Sequence, residues 1–321
     1  IFYIIRWIQE FDWNKGGLEM NETELFAPYE GELDDEELAP KDAGYWKTAC
    51  KIFLKNKMGV FSAIVLIVMI IFCMAGENLR PYGVQDQNTA IKNEAPSKDH
   101  WFGTDQLGRD IFVRVCHGGQ VSIEIGLFAS LIVSLIGVIY GSISGYLGGR
   151  ADMIMMRLVE VFKGIPHLVI VILLSIILDV KGILPLLLAM TIVGWVNTAQ
   201  VVRGQVKQLK GQEFIMAAEC LGVPARRIIS HHIIPNMMGM VVVAITLDIP
   251  TFIFEEAFLS FIGLGLKNPA VSWGILISLA QPNLVHYPYQ VAFPAIAISV
   301  AMVALNIFGN AWKEAFDPKF R

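Results

Sequence analysis

The sequence predicts an all-α membrane protein, a bundle of six transmembrane helices. Three observations support this prediction: 55% of the 321 residues are hydrophobic, only 17% are charged, and the mean hydropathy is +0.54. Soluble domains have a more polar composition. A helix needs about 20 largely apolar residues to cross the hydrocarbon core, so we sought stretches of that length bounded by charge, glycine or proline.

Six segments of the sequence qualify as spans. They are residues 58–76, 121–147, 165–178 with a more polar lead-in from 154, 182–202, 236–258 and 290–310. The connector 259–283 is interrupted by glycine and proline, so we do not expect it to span. The predicted divisions are an N-terminal segment 1–57, a first helix 58–76, an outer segment 77–120, a core 121–314 containing a loop at 203–235, and a tail 315–321.

Lysine and arginine predict the orientation. Six spans place both termini on one side, and this side receives fifteen of the lysines and arginines between residues 45 and 321, against seven on the other side. Cytoplasmic loops carry the excess of these residues. Both termini and the loop 203–235 are therefore predicted to be cytoplasmic.

The N-terminal segment has two parts. Residues 1–13 place isoleucine and phenylalanine at helical spacing, with polar side chains opposite, as in a helix lying flat at a membrane interface. The acidic run 32–40 is predicted to be a flexible, solvated tail. The four cysteines lie on different predicted sides or within spans, which favours neither a disulfide framework nor a metal site.

A polar stretch, "QEFIMAAECLGVPARRIISHHIIPN" (212–236), stands between apolar spans. Good helix formers run from Gln212 to Leu221 and end at Gly222, the residue type that best tolerates a left-handed C-terminal position. A second helix is predicted to begin at Pro224 and end at Pro235. The pattern predicts helix, tight turn, helix.

One face of the first of these helices is suited to docking. Four apolar residues at three- and four-residue spacing form it: Phe214, Ala217, Ala218 and Leu221. The face is small in the middle and bulky at its ends, as a helix docking in a shallow cleft requires. The alternative is an ordinary solvated loop with a helical turn, which explains the helix caps but not the apolar face.

This stretch resembles the "EAA" loop of ABC importer permeases. That pattern places two alanines before a glycine and ends in an aliphatic–proline pair, which here are Ala217, Ala218, Gly222, Ile234 and Pro235. The family's leading glutamate is replaced by methionine, with Glu213 nearby. The resemblance implies that residues 212–221 form the coupling helix, which sits in a groove of a cytoplasmic ATPase.

Two further stretches carry a more specific resemblance. Residues 100–123, "HWFGTDQLGRDIFVRVCHGGQVSI", and 255–274, "EEAFLSFIGLGLKNPAVSWG", are similar to signature stretches of the C-type permease subunit of oligopeptide, dipeptide and nickel importers. The similarity covers about residues 45–321. It implies the type I, MetI-like fold, with five core helices and an N-terminal one that wraps the partner. It also implies a place in a bacterial or archaeal cytoplasmic membrane.

The outer motif is predicted to form a local ion-pair turn. Its marked residues are Gly103, Thr104, Asp105, Gly108, Arg109 and Asp110. Exposed ion pairs contribute only about 0 to 1 kcal/mol, so stability alone is a poor reason for them. Docking of an external partner and a rigid turn that caps the second span both remain open.

Small residues recur along the second span. They are Ser122, Gly126, Ser130, Ser134, Gly137, Gly141, Gly145 and Gly149. Such stripes let membrane helices pack closely, so this one is predicted to contact another helix. Close packing without a transport role and a sliding interface are both compatible with it.

Carboxylates in the fifth span are candidates for a translocation path. Asp248 lies near its middle, where a charge costs roughly 2.5 to 3.5 kcal/mol, and Pro250 frees a carbonyl there. Asp248 is therefore expected to face a pathway or a partner helix. Glu256 matches a family position and is a second candidate, whereas Glu255 is expected to reach water.

Catalysis by this chain is not predicted. The sequence contains no phosphate-binding G-x-x-x-x-G-K-[ST] loop, no H-E-x-x-H and no paired-cysteine metal site. The resemblance implies that ATP and Mg are used by two separate ATPase subunits, and that a homologous permease and an extracytoplasmic solute-binding protein complete the importer. Lipid surrounds the chain, and no nucleic acid is expected.

The implied function is a permease subunit for oligopeptides or dipeptides. Nickel or another small solute is the alternative within the same class. A channel or proton-coupled carrier using Asp248 and Glu255 is the alternative from a different class, although the paired broken helices frequent in carriers are not recognisable. A membrane scaffold without transport is a third.

Overall fold

The structure, a computed structural model, describes residues 45–179, 182–267 and 269–316. The predicted interfacial helix 1–13, the acidic stretch and the end of the C-terminal tail lie outside these ranges. The helices are α1 (Tyr45–Lys55), α2 (Lys57–Gly76), α3 (Ile111–Leu147), α4 (Gly149–Lys163), α5 (His167–Ile177), α6 (Ile183–Lys210), α7 (Glu213–Cys220), α8 (Ala225–Ile228), α9 (Ile234–Phe261), α10 (Trp273–Ala280) and α11 (Tyr289–Phe316).

The predicted class, an all-α bundle of apolar helices, is confirmed. Within the described ranges, α2, α3, α6, α9 and α11 are long and apolar enough to cross a membrane, and the pair α4 and α5 qualifies only when the two are joined. This pair is bent by 80°. Its apolar half has 11 residues, about 16 Å at 1.5 Å per residue, so α5 is too short to span alone. In the described part of the connector 259–283, α10 has eight residues, too few to cross a membrane.

Several helices continue beyond the apolar segments that the sequence predicts. The second span starts at Ile111 instead of residue 121, since the Asp110 carboxylate accepts a hydrogen bond from the Val113 N–H at 2.9 Å and caps α3. The fourth continues to Lys210 instead of residue 202, and the sixth to Phe316 instead of residue 310.

Helix α3 is the central element of the bundle. It packs most extensively on α6 and next on α9, and it also contacts α2. The predicted small-residue stripe is buried from Ser122 to Gly145, while Gly149 is exposed and starts α4. At Gly141 an added Cβ would lie 2.4 Å from the Ala199 carbonyl oxygen of α6. The stripe is thus the close helix contact that the sequence predicts.

The two ends of the bundle differ. We call the end at residues 100–110 the motif end and the end at residues 211–233 the loop end. Helix α3 starts at the motif end, and near its other end the Tyr146 carbonyl accepts a hydrogen bond from Lys210 Nζ at 2.8 Å, which places it beside the loop. Helix α11 begins at the motif end, where Gln290 Nε2 donates to the Thr104 carbonyl at 3.0 Å.

Candidate functional site

Helix α7 is held on the loop end by two of its residues. Ile215 is fully buried and Ala218 is 9% exposed, and both belong to an apolar cluster with Tyr146, Val206 and Ile228. The chain turns after α7 at Gly222, whose φ of +76° is the predicted left-handed conformation. The short helix is therefore a fixed part of the bundle and not a free loop.

The opposite face of α7 is exposed and largely apolar. Phe214 is 46%, Met216 47% and Leu221 84% exposed, and Glu213 and Ala217 are exposed beside them. We call this set the α7 outer face. Apolar residues grouped on a surface usually mark a contact with a partner.

Two details of the predicted loop are wrong. Ala218 faces the bundle and not the docking side, because Ile215 and Ala218 together fill the contact with α3 and α6. The second helix does not stop at Pro235 but runs on into α9. A π-helical segment, Ile229–Ile233, ends two residues before that proline. Proline has no N–H to donate, and its ring needs space beside the preceding turn. The wider π-helical turn accommodates both.

An ion-pair cluster secures α6, which carries α7. The Asp152 carboxylate of α4 pairs with Arg203 on α6, and it accepts hydrogen bonds from Lys207 Nζ at 2.6 Å and from Ser144 Oγ at 2.7 Å. Its side chain is 7% exposed. The cluster ties α4 and α3 to the last turns of α6, just before α7 begins.

Substituting Asp152→Asn is expected to lower the free energy of unfolding by about 2 kcal/mol, the scale of hydrogen bonds to a charged group. The amide cannot satisfy both Arg203 and Lys207. Thermal unfolding of the purified protein in detergent measures the effect. Glu160→Gln is the matched control, because Glu160 pairs only with exposed Arg157 at 2.9 Å, and such pairs contribute about 0 to 1 kcal/mol. Equal stability of the two variants would contradict the cluster's role.

The outer motif is a buried cap and not a surface patch. Arg109 and Asp110 are each only 3% exposed. Arg109 Nε donates to Asp105 Oδ2 at 2.7 Å, confirming the ion-pair turn, and Asp110 Oδ2 lies 2.8 Å from His100 Nδ1 while its other oxygen caps α3. Gly103 and Gly108 take positive φ values in the turn. These contacts favour the capping role over docking of an external partner.

Glu256 lies in the protein interior. It is fully buried, and its carboxylate accepts hydrogen bonds from Ser122 Oγ at 3.0 Å, Ser260 Oγ at 2.8 Å and Ser272 Oγ at 2.6 Å. These hydroxyls come from α3, α9 and the N-cap of α10. Its position supports a packing role and not the predicted place on a translocation path.

Asp248 lies in the wall of a cavity of 360 Å³ formed between α4, α5, α6 and α9. Other residues in the wall are Lys163, His167, Asn197, Thr198, Thr251 and Glu255. Glu255 is 7% exposed and pairs with His167 Nε2 at 3.0 Å, so the expectation that it reaches water is wrong. His167 is the first residue of α5. The bend at Pro166 directs α5 towards α9.

Sequence reasoning missed three of these residues. His167 was only part of an apolar run, Asp152 only part of a polar lead-in, and Arg114 one cation of the outer segment. Arg114 is completely buried and donates from Nη1 to the Val84 carbonyl at 3.0 Å. The feature that could have revealed them is a lone polar residue inside an apolar pattern. Such a residue indicates that it has a polar partner but does not identify the partner.

Apolar spans, a short helix with an exposed face at the loop end and an open cavity between α4, α5, α6 and α9 fit a membrane permease. Residues 137–321 match the binding-protein-dependent transport system inner membrane component, and residues 44–96 match the N-terminal TM domain of oligopeptide transport permease C. The chain belongs to the family of binding-protein-dependent transport system inner membrane components.

Its relatives are permease proteins of bacteria. The oligopeptide transport system permease protein OppC of Bacillus subtilis is 44% identical over 298 residues, 92% of this chain and 97% of the relative. The dipeptide transport system permease protein DppC of the same organism is 42% identical over 279 residues, 86% of this chain and 87% of the relative. OppC of Escherichia coli is 39% identical over 288 residues, 89% of this chain and 95% of the relative.

Proposed function

We propose that this chain is a permease subunit of an ATP-driven importer of oligopeptides or dipeptides. It pairs with a homologous permease, receives solute from an extracytoplasmic binding protein, and is driven by two cytoplasmic ATPase subunits that use ATP and Mg. The family supports the transport role, and the similarity to oligopeptide and dipeptide permeases supports the substrate class.

The α7 outer face carries the coupling proposal. Its exposed apolar residues lie on the segment between two spans, and the bundle leaves them uncovered in the described part of the chain. A groove on an ATPase would bury them. Because Ile215 and Ala218 fix α7 to α3 and α6, movement of the ATPase would pass directly to these helices and shift the bundle between inward- and outward-open states.

The orientation follows from the same proposal. If α7 meets a cytoplasmic ATPase, the loop end is cytoplasmic and the motif end faces outward. The starts of α1 and α2 and the end of α11 then lie at the cytoplasmic face, since Asn56 Nδ2 donates to Glu314 Oε2 at 2.9 Å. The excess of lysine and arginine at this end agrees.

The second candidate is a carrier that uses Asp248 and Glu255, favoured by their common cavity. One experiment separates the two. The chain is tagged in its native host, purified with its associated subunits and reconstituted in liposomes with the binding protein, and uptake of labelled trialanine is measured. The importer proposal expects a co-purified ATPase and uptake that stops when this ATPase is inactivated. Uptake without ATP supports the carrier, and ATPase association without any solute flux indicates a scaffold.

A further inference from the structure

The cavity between α4, α5, α6 and α9 has an unusual set of polar atoms. Asp248 is half-buried, and within the described ranges no side chain or backbone N–H donates to its carboxylate and no cation pairs with it. Glu255 is more than nine-tenths buried, and its Oε2 has no hydrogen-bond partner there. Within the described ranges, both oxygens of Asp248 at the wall and the buried Oε2 of Glu255 behind it therefore lack donors.

The cations nearest to these carboxylates do not supply the missing donors. His167 Nε2 pairs with Glu255 Oε1 and leaves the other oxygen unpaired. Lys163 also lies in the wall, where its Nζ donates to Gln200 Oε1 at 2.5 Å, and no ion pair joins it to either carboxylate within the described ranges. A carboxylate held inside a membrane protein without a donor is costly. This arrangement is what a site for a positively charged ligand requires before that ligand binds.

The chemistry of the site selects the kind of cation. A primary ammonium is a cation with three N–H donors, so it can pair with the Asp248 carboxylate and still donate to a second acceptor. A transition metal would need at least three converging ligands, and among the described residues no such group of His, Cys, Asp or Glu occurs. Asn197, Thr198 and Thr251 add amide and hydroxyl groups to the same wall, where they can meet the peptide bonds beyond the ammonium.

We propose that this cavity binds the primary ammonium group of a transported peptide between Asp248 and Glu255, an inference that rests on the proposed peptide transport. The carboxylates bind the charged group, and the amide and hydroxyl groups form hydrogen bonds with the peptide backbone. The volume of 360 Å³ is at the lower end for small-molecule sites. It fits the first residues of a peptide and not a whole oligopeptide.

The test measures occupancy of the cavity directly. Thr251 is exposed in the wall, so Thr251→Cys is introduced after the exposed native thiols are removed by Cys50→Ser and Cys220→Ser. The rate of maleimide labelling at position 251 is measured in the assembled importer, without the binding protein. Trialanine, N-acetyl-trialanine and N-acetyl-lysine amide are each added in turn. Trialanine is expected to slow labelling, and N-acetyl-trialanine to need about tenfold more peptide for the same effect.

N-acetyl-lysine amide, the third probe, distinguishes an amino-terminal ammonium from the ammonium of a lysine side chain. Protection by N-acetyl-lysine amide shows that a side-chain ammonium is also accepted, and its failure restricts the site to the amino terminus; both results support the proposal if trialanine protects. In Asp248→Asn or Glu255→Gln the preference for trialanine over its acetylated form is expected to vanish, whereas Asp248→Glu retains it. Glu160→Gln, an exposed carboxylate on α4, is the matched control and retains it too.

Three results would overturn the proposal. The first is equal protection by trialanine and N-acetyl-trialanine, and the second is a preference unchanged in Asp248→Asn and Glu255→Gln. The third is absence of protection by every probe. The same preparation, supplied with ATP and binding protein, reports trialanine uptake. Uptake without cavity protection refutes the ammonium site alone, while cavity protection without ATP-dependent uptake refutes the importer function.

Discussion

Ala217→Glu is expected to abolish ATP-driven uptake while the chain still folds and inserts. Ala217 lies between Phe214 and Leu221 on the α7 outer face. A carboxylate there would be buried against the ATPase without a partner, which costs more than about 2 kcal/mol and thus at least a tenfold loss of docking. Uptake in liposomes and the amount of co-purified ATPase measure the effect.

Two control variants separate docking from folding. Ala151→Glu adds the same charge at an exposed alanine of α4 on the loop end and is expected to retain uptake. Ala218→Glu places the charge in the contact between α7 and the bundle and is expected to lower the thermal stability of the chain itself. If Ala217→Glu kept full ATPase association and uptake, α7 would not be the docking element.

The sequence predicted those parts of the structure that local rules determine. Gly222 ends α7 in the left-handed conformation, and the small residues of α3 form its close contact with α6. The turn at Gly222 depends on local backbone sterics, and small residues permit close packing against whichever helix lies beside them. The apolar spans likewise follow from composition and length alone.

The orientation of α7 was beyond local rules. An eight-residue helix has about two turns, too few for the periodicity to distinguish its inner face from its outer face when both carry apolar residues. Ile215 and Ala218 are buried because Tyr146, far away in the sequence, and Val206, on the preceding helix, provide their contacts. Ala217 and Ala218 therefore look equivalent in the sequence and differ in the fold.

The same limit applies to the carboxylates of α9. The cost of burial placed Asp248 away from lipid, and the structure puts it on a cavity. Glu255 was expected in water because no neighbouring residue in the sequence indicates that His167 lies 3.0 Å from it. The bend between α4 and α5 creates this pair, and a proline marks a break without fixing its direction.

Glu256→Ala is expected to lower the free energy of unfolding by at least about 3 kcal/mol, because three buried hydroxyls lose their acceptor at about 1 to 3 kcal/mol per unsatisfied group. The lost volume adds a cavity cost. The carboxylate joins α3, α9 and the cap of α10, so the contact between these elements should loosen first. Thermal unfolding in detergent and the amount of chain in the membrane measure the loss.

Glu256→Gln separates the shape of this side chain from its two acceptor oxygens. The amide keeps the volume and one carbonyl acceptor, so at least one of Ser122, Ser260 and Ser272 loses its bond, with a cost of about 1 kcal/mol. The order of stability should be wild type, then Gln, then Ala. If Glu256→Ala were as stable as wild type but transported no peptide, the carboxylate would act in transport and its three hydrogen bonds would not hold the bundle together.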